Sequence, residues 1–527
     1  MSAVDLFTVE VIRHALTAAA EEMSLVVQRS ARSPLLREAA DLSSALTDHA
    51  GELVAQGQDM PIHLGVMSLT VKEFLKRVPV DRMRPGDTWF LNLPEVGGNH
   101  LPDVKAIRPV FAEGRLLAFA VSLAHWADIG GAAPGSYFAA ARDIWSEGLR
   151  IPPTRVIVDD QPDREKLDFI MANVRGPVER EGDLLAQVAA TRVAERRLHE
   201  IIAQHGAATL AAAMATLHDR SEAQMREAIA KLPDGIYEGE DFLDDGGPEN
   251  QPVAVRVRVE IRGEEASFDF SKTDDAMQGP LNTTRFVADA AVFYAIRALA
   301  APDIQPNGGA YRPLKITTRP GSLLDPDGPF PVVGGNHETS QRCVDAIMRA
   351  LATVIPAAIT AGGATTAGIL IISGPRTDGS WATLYEVHGG GEGARIDRDG
   401  MPVTRVHLTN TMNTPIEVIE AEYAIRVEGQ ALRPASGGIG AHKGGDGMVR
   451  AYRILADGFS LTTMVERRVV APYGLEGGED GLPFRIILER EGEPPRMLPG
   501  KANVLLKRGD RLVMETSGGG GYGVAAA

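Results

Sequence analysis

Apolar residues recur at helical spacing in several parts of the chain. Across residues 7–32 they return every three or four positions among Ala and Glu, which predicts a long first helix. Residues 183–232 are rich in Ala, Leu, Arg and Glu and predict two or three consecutive helices, with Gly206 and Asp219 as the expected interruptions. Further helices are predicted at 284–300 and 339–352.

Strand patterns lie between these helical segments. Residues 42–47 and 53–56 flank a turn and predict a hairpin, while 88–93 and 116–124 are apolar enough to be buried strands. Strict alternation at 253–259 predicts a strand with one buried face, paired with 264–270. Residues 357–374 and 449–516 are expected to be mainly β. The pattern predicts an α+β fold with several β-rich lobes and a helical layer.

Length sets the expected number of structural units. A chain of 527 residues predicts about three to four units. We expect a metal-site region with a helical block at 1–235, a mixed α/β region at 236–374 and a Gly-rich β region at 375–527. The boundaries are soft and the lobes are expected to interlock.

The charge balance narrows the class of partner. A net charge of −16 disfavours binding to nucleic acid or to an anionic membrane. The single cysteine, Cys343, excludes an intrachain disulfide and suits a reducing cytoplasm. The first residues lack the pattern of a secretion signal, so no export is expected.

Nitrogen and oxygen ligands concentrate between residues 38 and 128, without a thiolate. His100 and His125 each follow an apolar strand, so two neighbouring strand ends could bring both imidazoles to one ion, with Asp41 and Asp128 completing the site. This set suits Zn²⁺ or Mn²⁺. The other polar residues of the segment are Glu38, His63 and Asp103.

Each of these residues also has an ordinary structural interpretation. His and Asp near turns are commonly capping residues, and His63 has the apolar surroundings of a core histidine. The glycine clusters at 389–393, 437–445 and 518–521 could cradle an anion, although tight turns and close sheet contacts explain them as well. A buried thiol is the expected state of Cys343. Further candidates for a functional site are polar residues in the C-terminal half of the chain: Asn336, Glu338, Thr339, Ser340, Gln341, His388, His407, Asn410, Asn413 and Glu417.

The same motifs resemble the hydantoinase B family, which includes the B portions of 5-oxoprolinases and N-methylhydantoinases and the related large subunits of acetone-type carboxylases. The matching runs follow the family's order over nearly the whole chain: 40–43, 61–65, 97–103, 125–131, 147–153, 173–175, 338–342, 410–417, 436–438 and 518–523. Two positions depart from the pattern of many members, since Leu93 stands in place of an Asp and Trp126 in place of a His.

The resemblance implies a cytoplasmic hetero-oligomer that opens cyclic amides such as 5-oxoproline or a hydantoin. An A-type partner subunit would bind ATP and phosphorylate the amide oxygen, while this subunit would hold the metal and complete the hydrolysis. The family's metal ligands would fall on Asp41, His100, His125 and Asp128. As a hypothesis, Glu38 or His63 shuttles the proton.

Two other functions stay open at this point. One is a subunit of an ATP-dependent ketone carboxylase of the acetone carboxylase type, in which the same metal site would steer an enol intermediate toward carbon dioxide. The other is a non-catalytic assembly subunit that shapes the partner's site. An intact set of four metal ligands argues against the second, because a scaffold does not need them.

Overall fold

A computed structural model describes residues 4–63, 65–246, 251–376, 378 and 380–525. Its α-helices are α1 (Leu6–Ser30), α2 (Pro34–Arg37), α3 (Val66–Arg77), α4 (Arg164–Ala172), α5 (Pro177–His205), α6 (Ala207–Ile229), α7 (Arg285–Ala300), α8 (Gly308–Tyr311), α9 (Ser340–Leu351) and α10 (Ile416–Glu422). A single π-helical turn, Gly335–Thr339, leads directly into α9.

The first sheet is formed by the N-terminal part of the chain. Its strands are β1 (Leu42–Asp48), β2 (Leu53–Gln56), β3 (Thr88–Leu91), β4 (Asp103–Ala112), β5 (Arg115–His125), β6 (Thr154–Val158) and β7 (Gln161–Pro162). They lie in the order β2-β1-β5-β4-β3-β6-β7, with antiparallel pairing throughout. The predicted hairpin at 42–56 is confirmed as β1 and β2.

Helices cover both faces of this sheet. In β5, Phe119, Val121 and Leu123 belong to the core shared with α3 and α7, whereas Ala118 and Ala120 belong to the core shared with α1 and α5. Successive strand residues point to opposite faces, which explains the alternation. Because both faces are buried, β5 reads in the sequence as a nearly continuous apolar run.

The helical block is long and has one break. α5 ends at His205 and α6 begins at Ala207, with Gly206 between them at a φ of 84°, as the sequence predicted. The predicted interruption at Asp219 is wrong, because Asp219 lies inside α6. Its side chain faces solvent and pairs with Arg312 at 3.2 Å, so nothing stops the helix there.

The remaining strands form three further sheets. The second sheet contains β8 (Gly235–Leu243), β9 (Val253–Arg262), β10 (Glu265–Asp269) and β11 (Leu314–Thr317). The third contains β12 (Ile369–Pro375), β13 (Trp381–Val387), β16 (Phe459–Met464) and β19 (Lys501–Leu506). The fourth contains β14 (Ile425–Arg433), β15 (Gly447–Ile454), β17 (Arg485–Glu489), β18 (Arg496–Met497) and β20 (Arg511–Glu515).

These sheets confirm the predicted mixed architecture with several β-rich lobes and a helical layer. The predicted helices at 284–300 and 339–352 correspond to α7 and α9. Of the segment 357–374, only the part from Ile369 onward is a strand. The division of the chain into three regions stays a prediction. No helix in the described part of the chain is long and apolar enough to cross a membrane.

The glycine clusters meet in one interlocked bundle near the C-terminus. Backbone N–H groups of Gly391, Gly438 and Gly519 donate to the carbonyls of Ser517, Gly519 and Gly445 at 2.8–3.0 Å. These backbone amides therefore bind protein carbonyls and are not available to bind an anion. This agrees with the interpretation that the glycines allow close contact between backbone segments.

Candidate metal centre

Three neighbouring strands of the first sheet align polar residues at one edge. In the register of β4 and β5, Asp103 stands opposite His125. On the other side of β5, the backbone N–H of His125 donates to the carbonyl of Asp41 at 3.1 Å, immediately before β1 begins. Facing residues of adjacent strands project from the same face of a sheet. Sheet register therefore places Asp41, His125 and Asp103 in one row.

His100 joins this row from the turn that precedes β4. Its Nε2 lies 3.0 Å from Oδ1 of Asp103, and Nδ1 of His125 lies 3.1 Å from the same oxygen. One ligand atom from each of His100, Asp103 and His125 lies within 4.8 Å of the other two. All three side chains are buried, and Asp41 lines the same cavity.

Hydrogen bonds fix the tautomer of His100. Its Nδ1 lies 3.0 Å from the carbonyl oxygen of Val333, which can only accept, so Nδ1 carries the hydrogen and Nε2 carries the lone pair. Burial lowers the pKa of His100, which favours the neutral ring. A bare Nε2 and a carboxylate oxygen 3.0 Å apart repel each other unless a cation lies near both. The pair thus fits a metal site.

The other two members of the group fit an ion as well. Asp103 is buried between His100 and His125, and an ion held by the two rings would keep its carboxyl group ionised. The ring of His125 turns Nδ1 toward Asp103, and its buried Nε2 has no hydrogen-bond partner among the described residues. An unpartnered buried nitrogen is costly unless it binds something.

His63 lies in the site and contacts it through both ring nitrogens. Its Nδ1 is 2.8 Å from Oγ of Ser43, and its Nε2 is 3.4 Å from Oδ2 of Asp103. Glu38 is placed differently: its carboxylate is 3.7 Å from Arg37, about a third exposed, and outside the cavity lining. Of the two residues expected to move protons, the structure brings only His63 to the candidate ligand group.

Asp128 also lies apart from the ligand group. Its Oδ1 accepts the backbone N–H of Gly130 at 2.7 Å, and its Oδ2 accepts the backbone N–H of Gly135 at 2.7 Å and the guanidinium of Arg175 at 3.2 Å. The carboxylate thereby holds the loop after β5. Of the two aspartates, Asp103 is the one that the described structure brings within reach of His100 and His125, and the role of Asp128 as a ligand stays a prediction.

The π-helical turn before α9 supplies further polar groups from a distant part of the sequence. The amide nitrogen of Asn336 lies 3.2 Å from Nε2 of His100. Nδ1 of His337 lies 3.1 Å from Oε1 of Glu338, while its buried Nε2 has no partner within the described residues. Burial lowers the pKa of His337 to about 3 and raises that of Glu338 to about 8. π-Helical turns occur often at functional sites.

These residues surround a small cavity of about 40 Å³. A space of this size holds an ion and a few water molecules. One wall is Tyr385, whose hydroxyl lies 3.0 Å from that of Tyr137. Leu408, Thr409 and Thr411 also line the cavity. They belong to residues 404–414, here called the strap, which form neither a helix nor an extended strand.

Hydrogen bonds attach the strap to several separate parts of the chain, including a reciprocal backbone pair between Thr404 and Gly390. Its Leu408 carbonyl accepts the backbone N–H of Ile62 at 3.1 Å, and its Met412 N–H donates to Ala39 at 3.0 Å. Asn410 donates its side-chain amide to the carbonyl of Asp59 at 3.1 Å.

The other late candidates have separate positions. His388 lies between the Gly368 carbonyl and Tyr452, and His407 is 3.4 Å from the hydroxyl of Tyr294, so neither joins the metal ligands. Asn413 contacts Arg405, and Glu417 lies in the first turn of α10. Thr339 does not cap α9 through its side chain, since its hydroxyl donates to Leu281. Cys343 is buried, as predicted, and burial raises the pKa of its thiol.

His337, Tyr137 and Tyr385 were missed by the sequence analysis. His337 had a usable signal, because it is a possible ligand inside the polar run 336–341 that had been singled out. The tyrosines had none, since a lone Tyr in a loop or strand does not indicate a site.

Comparison with known proteins identifies the chain. The model of the family described as hydantoinase B/oxoprolinase matches residues 5–525. The chain belongs to this family. It is 32% identical to the B-type subunit of a putative D-/L-hydantoinase from a Pseudomonas species, over 99% of this chain and 90% of that protein. The family therefore accounts for the motifs from Ala40 to Gly523.

Two further relatives of the hydantoinase B family are enzymes whose names state what they act on. The chain is 33% identical to 5-oxoprolinase 1 of Arabidopsis thaliana over 98% of its own length but only 42% of that protein, so it spans less than half of that enzyme. Its structure matches that of the ATP-dependent caprolactamase from Pseudomonas jessenii with a TM-score of 0.94 and 28% identity, covering 99% of this chain and 92% of the matched chain. The hydantoinase B family thus contains subunits of ATP-dependent enzymes that act on cyclic amides.

Proposed function

We propose that this chain is the B-type subunit of an ATP-dependent cyclic-amide hydrolase, acting on 5-oxoproline, a hydantoin or a related lactam or imide. The observation that carries the proposal is the buried group His100, Asp103 and His125, which brings two imidazoles and a carboxylate within reach of one ion and leaves Nε2 of His125 without a partner among the described residues. Its partner would be an A-type subunit that binds ATP. The cytoplasm suits such a complex, because ATP is available and a lone buried thiol stays reduced there.

The chemistry needs both subunits. The partner transfers the terminal phosphoryl group of ATP to the amide oxygen, which makes the amide carbon electrophilic. Water then adds to this carbon, and the C–N bond breaks as the ring nitrogen takes a proton, which leaves an open-chain acyl phosphate. A second water molecule releases phosphate from it. The products are therefore ADP, phosphate and the ring-opened acid.

We assign the metal to His100, His125 and Asp103, with Asp41 as the carboxylate next to the group. The nitrogen and oxygen donors suit Zn²⁺ or Mn²⁺. As a Lewis acid, a divalent ion at this position would lower the pKa of a water molecule toward about 7. In this proposal Asp128 keeps its loop in place and does not bind the ion.

The proton of the attacking water can go to a neighbouring histidine. His63 is the first candidate, since its Nε2 is 3.4 Å from Asp103. His337 also lines the cavity, but burial lowers its pKa to about 3, which makes it a weak proton acceptor. Glu38 is the weakest of the three because its carboxylate lies outside the cavity.

Metal content tests the ligand assignment. We expect the purified complex to hold a stoichiometric transition metal, which His125→Ala and Asp103→Ala lose. Asp128→Asn is the matched control, because its carboxylate binds backbone N–H groups, and it should keep the ion. A metal-free, fully active complex, or loss of the ion in Asp128→Asn alone, would contradict the assignment.

Turnover tests the reaction. The chain, assembled with its A-type partner, is given ATP and 5-oxoproline, hydantoins, lactams or simple ketones, with and without bicarbonate. Ring-opened product from a cyclic amide supports the hydrolase. Ketone-stimulated, bicarbonate-dependent ATP use would replace it with the carboxylase, and turnover unaffected by His125→Ala would favour the assembly role.

A further inference from the structure

Gln341 presents an unpartnered acceptor in the wall of the metal cavity. It is 1% exposed, lies in the first turn of α9 and lines the cavity. Its Nε2 donates to the carbonyl of Val406 in the strap at 3.2 Å, whereas its buried Oε1 has no hydrogen-bond partner within the described residues. A buried acceptor without a donor is destabilising, so its retention at this position calls for an explanation.

The orientation of this amide is determined by its surroundings. A carbonyl oxygen such as that of Val406 can only accept, so the NH₂ group of Gln341 must face it and the oxygen must face away. The oxygen of Gln341 is thus an acceptor without a donor among the described residues.

A secondary amide carries the matching donor. Its N–H is bonded to the same carbon that the attacking water must reach, so a donor and the reacting carbon enter the cavity together. In a lactam the ring holds N–H and C=O on the same edge of the amide, whereas an open-chain secondary amide normally points them in opposite directions. Gln341 and His125 line the same cavity, so an amide edge that enters it faces both residues.

We propose that Oε1 of Gln341 accepts the ring N–H of the reacting amide and selects cyclic amides that carry this hydrogen. This inference rests on the proposed hydrolase function. An N-alkyl amide would leave the buried oxygen unpaired and would place a methyl group against it, which a site built around a hydrogen bond rejects strongly. Ketones lack the donor and are disfavoured for the same reason.

The experiment compares N–H and N-methyl forms of the same ring. The assembled complex is assayed with 2-pyrrolidinone and ε-caprolactam, each as substrate or competitive inhibitor, and with the two N-methyl derivatives as competitive inhibitors. The wild type should bind each N–H lactam at least about tenfold more tightly than its N-methyl form. In Gln341→Met this ratio should fall to about threefold or less, and kcat/KM for the N–H lactam should fall by about 10-fold to 100-fold.

The control is Gln305→Met, whose amide contacts Thr17 at 3.3 Å away from the cavity and whose ratio should match the wild type. Equal thermal midpoints of the three proteins show that the ratio reports recognition and not unfolding. Wild-type complex that binds both forms equally, or a Gln341→Met variant with an unchanged ratio, would overturn the role of Gln341 while leaving the hydrolase intact. A complex that opens no cyclic amide would overturn both proposals.

Discussion

Gly391 gives the sharpest test of the interlocked glycine bundle. A Cβ added to Gly391 would lie 1.9 Å from the carbonyl oxygen of Gly445 and 2.3 Å from the nitrogen of Gly519. These two atoms are themselves hydrogen-bonded at 2.9 Å, and the N–H of Gly391 donates to Ser517 at 3.0 Å. The substitution Gly391→Ala must therefore move buried backbone on both sides.

The size of the effect follows from these contacts. Overpacking a buried site costs about 1–3 kcal/mol. Displacing two backbone hydrogen bonds adds roughly 1 kcal/mol each. The sum of about 3–5 kcal/mol is a large part of the stability of an ordinary domain. If the C-terminal lobe unfolds as one unit, its midpoint should fall by roughly 6–20 °C.

The assay is thermal unfolding of Gly391→Ala beside a matched control. Gly429 lies in β14 and is exposed, and a Cβ added there meets nothing within 4 Å. Gly429→Ala should therefore leave the midpoint unchanged or raise it slightly. A Gly391→Ala protein that unfolds within about a degree of the wild type would refute the argument from close backbone contact.

Two further predictions follow from other buried carboxyl groups. Glu147 accepts the backbone N–H groups of Val332 and Val333 at 2.9 Å each, and the Val333 carbonyl orients His100. Glu147→Gln should therefore weaken metal retention about 10-fold to 100-fold in a chelator competition. Unchanged retention would show that the segment containing Val332 and Val333 is held in place without Glu147. Burial raises the pKa of Asp289 from 3.8 to about 7, so the folded chain keeps a proton that the unfolded chain releases. The contribution of Asp289 to the free energy of unfolding is complete below pH 3.8 and is lost as the pH rises through about 7. Asp289→Asn should flatten this pH dependence of stability in denaturant titrations. An identical pH profile in the variant would contradict the prediction.

Much of the candidate site followed from local sequence. His100 and His125 were predicted as ligands because each follows an apolar run that must be a buried strand, and polar side chains at strand ends lie at an edge of the sheet. The same reasoning named Asp103 among the polar residues of the segment but assigned Asp128 to the ligand set. Both carboxylates lie within three residues of a strand end, so the local pattern is alike.

Register and loop geometry made that distinction. Pairing of β4 with β5 sets Asp103 opposite His125, while the turn after β5 directs Asp128 to backbone N–H groups. The sequence also could not place His337, which reaches the site from more than two hundred positions away.

The amino-acid sequence by itself determined the helices, the strand positions, the family and the types of ligand, because these depend on neighbours along the chain. Only the tertiary structure decided which side chains face one cavity, because strand register and packing between distant segments depend on the whole chain. Gln341 shows the difference most clearly. Its position in a polar run was visible in the sequence, but its unpartnered oxygen becomes evident only when α9, the strap and the first sheet are together.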